Sequence, residues 1–182
     1  MLKHFEALLR AYTILEDLTP LKYDCGTLCD SLCCKNNSTE DETLGMWLLP
    51  YEKELLSALV SEDKQTDFRF GKAEDGTQTV FCRGRCKRQF RPFACRIYPF
   101  YADIMKDITG RTKIKVKIDP RARLTCPIAM QNSYLRPSID FIASVKSAVR
   151  ELMNDQEIKK DLIAISEFLS EIGEMQSKLL GI

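Results

Sequence analysis

The chain has 182 residues, 27 basic against 26 acidic side chains and eight cysteines, a length that suits one domain with a core of its own. Its near-neutral charge gives no global argument for a nucleic-acid or anionic-membrane partner, so any such argument has to be local. No window is apolar for long enough to span a bilayer, and MLKHFEALLRAYTILEDL carries Glu6, Arg10, Glu16 and Asp17 where a signal peptide has an unbroken apolar run; the expected setting is the cytoplasm.

Leu2, Phe5, Leu9 and Tyr12 step by helical intervals and predict a first helix running to about Leu18, with Pro20 beyond it. The cysteine run follows, then the polar loop KNNSTEDET, then Trp47-Leu48-Leu49-Pro50 leading into a short helix from Tyr51 to Val60. Phe68 to Cys82 reads as a small hairpin turning at Gly76. CRGRCKRQFRPFACRIYPF, punctuated by Pro92 and Pro99, reads as a loop with at most a short helix. Ile114, Val116 and Ile118 alternate with Lys113, Lys115 and Lys117, which predicts a half-buried strand completing a small antiparallel sheet.

After Cys126-Pro127 the chain turns helical. Pro137 and Ser138 start one helix with apolar positions Ile139, Ile142, Val145, Val149 and Leu152. A last helix places Ile158, Leu162, Ile165, Leu169, Ile172, Gln176 and Leu179 on a heptad-like seam broken once by glutamine. The favoured reading is a helical hairpin closing over its own core, a monomer; a homodimer through the C-terminal helix is the alternative. The predicted fold is therefore α+β and mainly α-helical, a single domain over residues 1–182. A small antiparallel β element and cysteine-rich metal-binding loops occupy residues 20–130, closed by a C-terminal helical pair over 136–182.

The cysteines are Cys25, Cys29, Cys33 and Cys34, then Cys82, Cys86, Cys95 and Cys126. Stable disulfides are disfavoured in a reducing compartment, so clustered cysteines there point to metals or redox chemistry. The count is what two four-thiolate sites need, since structural zinc is usually held tetrahedrally by four ligands. His4 is the only histidine, so mixed Cys/His sites are disfavoured. On an ideal helix a rise of ~1.5 Å per residue puts Cys25 and Cys33 ~12 Å apart, far too long for zinc–sulfur bonds of ~2.3 Å to one ion. The early run is therefore half a site that needs the later cysteines, and adjacent Cys33 and Cys34 face different partners.

Redox alternatives fit less well. The chain has no C-x-x-C, so a thioredoxin-type dithiol is unsupported. C-x-x-x-C-x-x-x-C also departs from the spacing usual in radical S-adenosylmethionine enzymes, and no histidine is placed to activate a catalytic cysteine. An iron-sulfur cluster stays open, because thiolates serve either metal. Arg83, Arg85, Lys87, Arg88, Arg91 and Arg96, with Phe81, Phe90, Phe93 and Tyr98 interleaved, would suit a nucleic-acid surface of the stacking type. Compensation of a zinc–tetrathiolate charge of about −2 is the favoured account of the same cations.

The Cys25-to-Cys34 run, Cys82 and Cys86, the stretch Arg91-Pro92-Phe93-Ala94-Cys95-Arg96-Ile97-Tyr98-Pro99 and Cys126-Pro127 together resemble the YkgJ-type cysteine-cluster family of zinc- or iron-chelating proteins. The resemblance covers roughly residues 20–130 and rests most on R-P-x-x-C-R-x-Y-P; the first run departs by one extra residue in each interval. It implies a metal-binding domain whose ligand candidates are all eight cysteines, with no assigned reaction. In a related group, the flagellin lysine N-methylases, a similar cluster accompanies iron-sulfur and methyl-transfer chemistry. This chain is much shorter and has no G-x-G-type loop for a nucleotide-like cofactor. The expectation is zinc, one or two ions, structural within a protein that interacts with an unknown protein partner and is not an enzyme. Iron or an iron-sulfur cluster is the alternative cofactor, and a nucleic-acid-binding module the weaker alternative function.

Overall fold

In a computed structural model the described residues are 2–21, 28–30, 32–35, 45–61, 66, 68–73, 76–82, 86–131 and 136–181. The first helix, α1 (Leu2–Ile14), stops short of Leu18 and turns a different face to the core. Ala7, Leu8, Ala11 and Tyr12 are buried, whereas Leu2 and Leu9 are 87% and 43% exposed. The reason is close approach: the small side chains Ala7 and Ala11 admit α7 (Ile139–Leu152), whose Ala148 and Val149 are fully buried. A periodicity that counts only large apolar residues passes over alanines at a helix contact.

A single turn, α2 (Leu32–Lys35), lies in the early cysteine run and packs on strand β3 (Gln78–Cys82). β3 is the centre of an antiparallel sheet, with β1 (Met46–Trp47) on one side and β2 (Phe68–Lys72) on the other. The hairpin closes through Gly76, whose φ of +86° is one that L side chains rarely adopt. Gly45 sits so close to β3 that an added Cβ would lie 2.8 Å from the Phe81 ring. Between β1 and β2 runs α3 (Glu52–Val60), as expected, with Leu55 and Leu56 buried.

The motif segment folds into a 3₁₀ turn (Arg88–Phe90) and the short helix α4 (Phe93–Ile97), then passes a cis Tyr98–Pro99 bond into β4 (Phe100–Lys106). β4 pairs with β5 (Thr112–Ile118) in register Phe100↔Ile118 through Lys106↔Thr112. The lysine-striped strand therefore belongs to a second, two-stranded sheet and does not complete the first. β4 escapes sequence reading because Phe100 through Ile104 are all buried, which removes the alternation that marks a half-solvated strand.

Two short helices, α5 (Ala122–Thr125) and α6 (Pro127–Gln131), flank Cys126. α7 starts at Ser138, whose hydroxyl accepts the Phe141 N–H at 3.2 Å. The final helix, α8 (Gln156–Leu180), is capped by Asp155 and ends at Gly181 in the left-handed region. α7 packs on α1 and the β4–β5 hairpin, α8 lies across β4, and both enter one core, Val145, Val149 and Leu152 from α7 and Ile158 and Leu162 from α8. Ser166 explains the contact of α8 with β4, since its hydroxyl takes the Ile104 N–H of the strand edge at 2.7 Å. Of the seam, Ile158, Leu162 and Leu169 are buried within the chain, Gln176 donates to the Pro120 carbonyl, and Leu179 is 85% exposed. The architecture is mainly helical α+β with the C-terminal helix in place, and no described helix is long and apolar enough to cross a membrane.

Candidate metal centre

Six of the expected ligands have described side chains: Cys29, Cys33, Cys82, Cys86 and Cys95 are half-buried and Cys126 is buried. Cys25 and the side chain of Cys34 lie outside the described residues, as do Arg83 and Arg85. Cys33 rides on α2 and Cys82 ends β3, the two elements that pack together. Cys86 follows four residues later, Cys95 sits in the middle of α4, and Cys126 lies between α5 and α6.

Tyr98 ties the early and late cysteines together. Its hydroxyl is 2.6 Å from the Thr125 hydroxyl, next to Cys126. Burial pushes its phenol far above the ordinary tyrosine value, and the thiols of Cys126 and Cys33 push it the same way. Two thiols from distant parts of the chain therefore act on one phenol. Cys95 acts instead on Tyr12, whose phenol is driven up chiefly by burial and by Glu52. Among the described residues no three His, Cys, Asp or Glu side chains stand close enough together to hold a metal ion.

The arm that carries Cys95 is held from below by charges. Glu52, at the start of α3, is fully buried and accepts the Tyr12 hydroxyl at 2.5 Å, the Leu49 N–H at 2.8 Å and the Phe93 N–H at 2.5 Å. Burial pushes its carboxyl up, while these three donors and Arg96 pull it back; the net direction is upward. Arg96 is 2% exposed and stacks 4.2 Å above the Tyr12 ring. Its Nε and Nη2 donate to the carbonyls of Arg91 and Gln89, each at 2.8 Å, and its Nη1 has no hydrogen-bond partner. Burial lowers its pKa, against the pull of Tyr12 and Glu52.

Arg88 of the same basic segment also has a defined task. Its Nε donates to the Glu16 carbonyl at 2.5 Å, and its Nη2 donates to the carbonyls of Leu15 and Leu18, just past the end of α1. Part of the basic segment thus closes a helix end. His4 is also engaged: its Nδ1 is 2.5 Å from an Asp155 carboxylate oxygen, and its ring stacks on Tyr51 at 3.9 Å. The carboxylate of Glu52 is likewise enclosed by donors of its own.

Tyr12, Glu52 and Tyr98 were not singled out by spacing as site residues. Glu52 and Glu54 look alike in the first turn of a short helix; only the tertiary fold brings Tyr12 and the Phe93 N–H to one of them. Tyr98 carried a signal as part of R-P-x-x-C-R-x-Y-P and as one of the aromatics interleaved with the basic residues. Compared with known protein families, curated proteins and solved structures, the chain has no match.

Proposed function

We propose that the chain is a metal-binding protein whose cysteines hold zinc as a structural centre, within a protein that engages another protein. One observation carries this reading: α2 and β3, which bear Cys33 and Cys82, pack together, and the thiols of Cys33 and Cys126 both act on the half-buried Tyr98 phenol. A thiolate centre there would join the early run, the motif segment and the α5–α6 junction, and neutral or cationic donors around it would offset its charge. All eight cysteines, Cys25, Cys29, Cys33, Cys34, Cys82, Cys86, Cys95 and Cys126, remain the ligand set of the proposal. The R-P-x-x-C-R-x-Y-P resemblance to the YkgJ-type family points the same way. So does the all-sulfur donor set, which suits zinc and equally an iron-sulfur cluster. A reducing cytoplasm is the compartment in which such thiols stay available as ligands.

The nucleic-acid alternative is less favoured at Arg88 and Arg96, whose Nε and Nη2 groups donate to backbone carbonyls within the fold. Elemental analysis, acid-labile sulfide and visible absorption of protein purified without oxygen test the proposal. Zinc at one or two ions per chain without charge-transfer colour is the expected result. Iron with labile sulfide would replace it with the iron-sulfur reading.

A further inference from the structure

We infer that Glu52 is a positioning residue for the cysteine centre, holding the short helix that presents Cys95 through its hydrogen bond to the Phe93 N–H; the inference rests on the metal-binding reading above. α4 has only five residues, Phe93–Ile97, and Pro92 gives it no side-chain cap. A helix this short does not hold itself together in water, because nucleation costs more than one turn of hydrogen bonds returns. Its orientation has to come from outside.

Glu52 supplies that from one end. A single carboxylate with 0% exposure joins three separate segments: the Tyr12 hydroxyl of α1, the Leu49 N–H before α3 and the Phe93 N–H that opens α4. All three of these hydrogen-bond partners are donors, so an ionised carboxylate is matched and a carboxamide is not, since its NH₂ would face an N–H or O–H. Arg96 holds the same helix at its other end, with two donors returned to the carbonyls of Gln89 and Arg91.

The remaining Arg96 donor is the second, independent observation. Nη1 is unpartnered in a side chain that is 2% exposed, and it belongs to the residue following Cys95. A buried guanidinium donor without an acceptor is costly. A thiolate centre beside Cys95 would give that cation a negative neighbour in addition to Glu52. Packing alone would ask for neither an enclosed carboxylate nor an unspent guanidinium donor in a core of Leu48, Leu49, Leu55 and Leu56.

Cobalt(II) titration of the metal-free full-length chain, read by sulfur-to-cobalt charge-transfer absorption, tests the inference. Glu52→Gln should weaken cobalt binding by about 10–100-fold, the range for partners that orient a ligand. Leu56→Ala, a fully buried control on the same helix, should lower stability at least as much and weaken cobalt binding far less, by only the share that coupled folding passes on. Should Glu52→Gln fail to fold, Tyr12→Phe removes one donor from Glu52 and keeps the ring beneath Arg96; a weakening of about two- to fivefold is expected. Equal affinity losses in Glu52→Gln and Leu56→Ala, or an unchanged affinity in the glutamate or tyrosine variant, would overturn the positioning role while metal binding stands. A wild-type chain that binds no cobalt would overturn the metal-binding reading and this inference with it.

Discussion

His4 carries the only imidazole in the chain, and its bond to Asp155 takes one ring nitrogen and fixes the ring against Tyr51. His4→Gln should therefore leave metal content unchanged and cost about 1.5–3 kcal/mol of stability, as for loss of a hydrogen bond to a charged group. Urea unfolding beside elemental analysis reads both, and loss of metal would make His4 a ligand. At this scale the sequence was legible for residue types whose chemistry is scarce: one histidine and eight cysteines narrow the donor set before any fold is known. It was not legible for Glu52, one of 26 acidic residues, because only the tertiary fold surrounds it with Tyr12, Leu49 and Phe93. Nor did it separate Arg88 from Arg96 in one basic run, although one closes the end of α1 and the other holds α4.

The helix ends give two predictions. Asp155 caps α8 by accepting the Glu157 N–H at 3.0 Å and the Ile158 N–H at 3.2 Å, so Asp155→Ala should cost about 1–2 kcal/mol in chemical denaturation. Burial alone would raise its carboxyl, but the Ile158 and Glu157 N–H groups and His4 outweigh burial and set it below the ordinary aspartate value. A depressed folded pKa stabilises the protein above the unfolded value, and that stabilisation is lost as pH falls through the folded one. Asp155→Asn, which can still cap, should flatten the acid limb of stability against pH. At the end of α1, Arg88→Ala releases the carbonyls of Leu15, Glu16 and Leu18. Faster amide exchange in the last turn of α1, with metal content intact, is the expected outcome. Long periodic elements such as α7 and α8 were readable from their apolar spacing. β4 was not, because burial on both faces erases the strand period, and the buried face of α1 was misplaced because alanines make its contact with α7.

Across the whole molecule, the described cysteines stand on α2 and β3, which pack together, on the α4 arm, which touches β1 and β4, and at the α5–α6 junction. A metal bound among them would be a staple between the two sheets, in line with the axial-rise argument that Cys25 and Cys33 cannot share an ion on a straight helix. Removal of such a metal should unfold or loosen the domain, since site formation and folding share one free energy; chelator-induced loss of near-ultraviolet dichroism is the readout. The central claim is that distant cysteines share the centre, and the metal content of purified Cys33→Ser and Cys126→Ser variants tests it most directly. The account predicts that each substitution alone lowers zinc below the wild-type level. Full zinc in either variant, or a wild-type chain without metal, would contradict it.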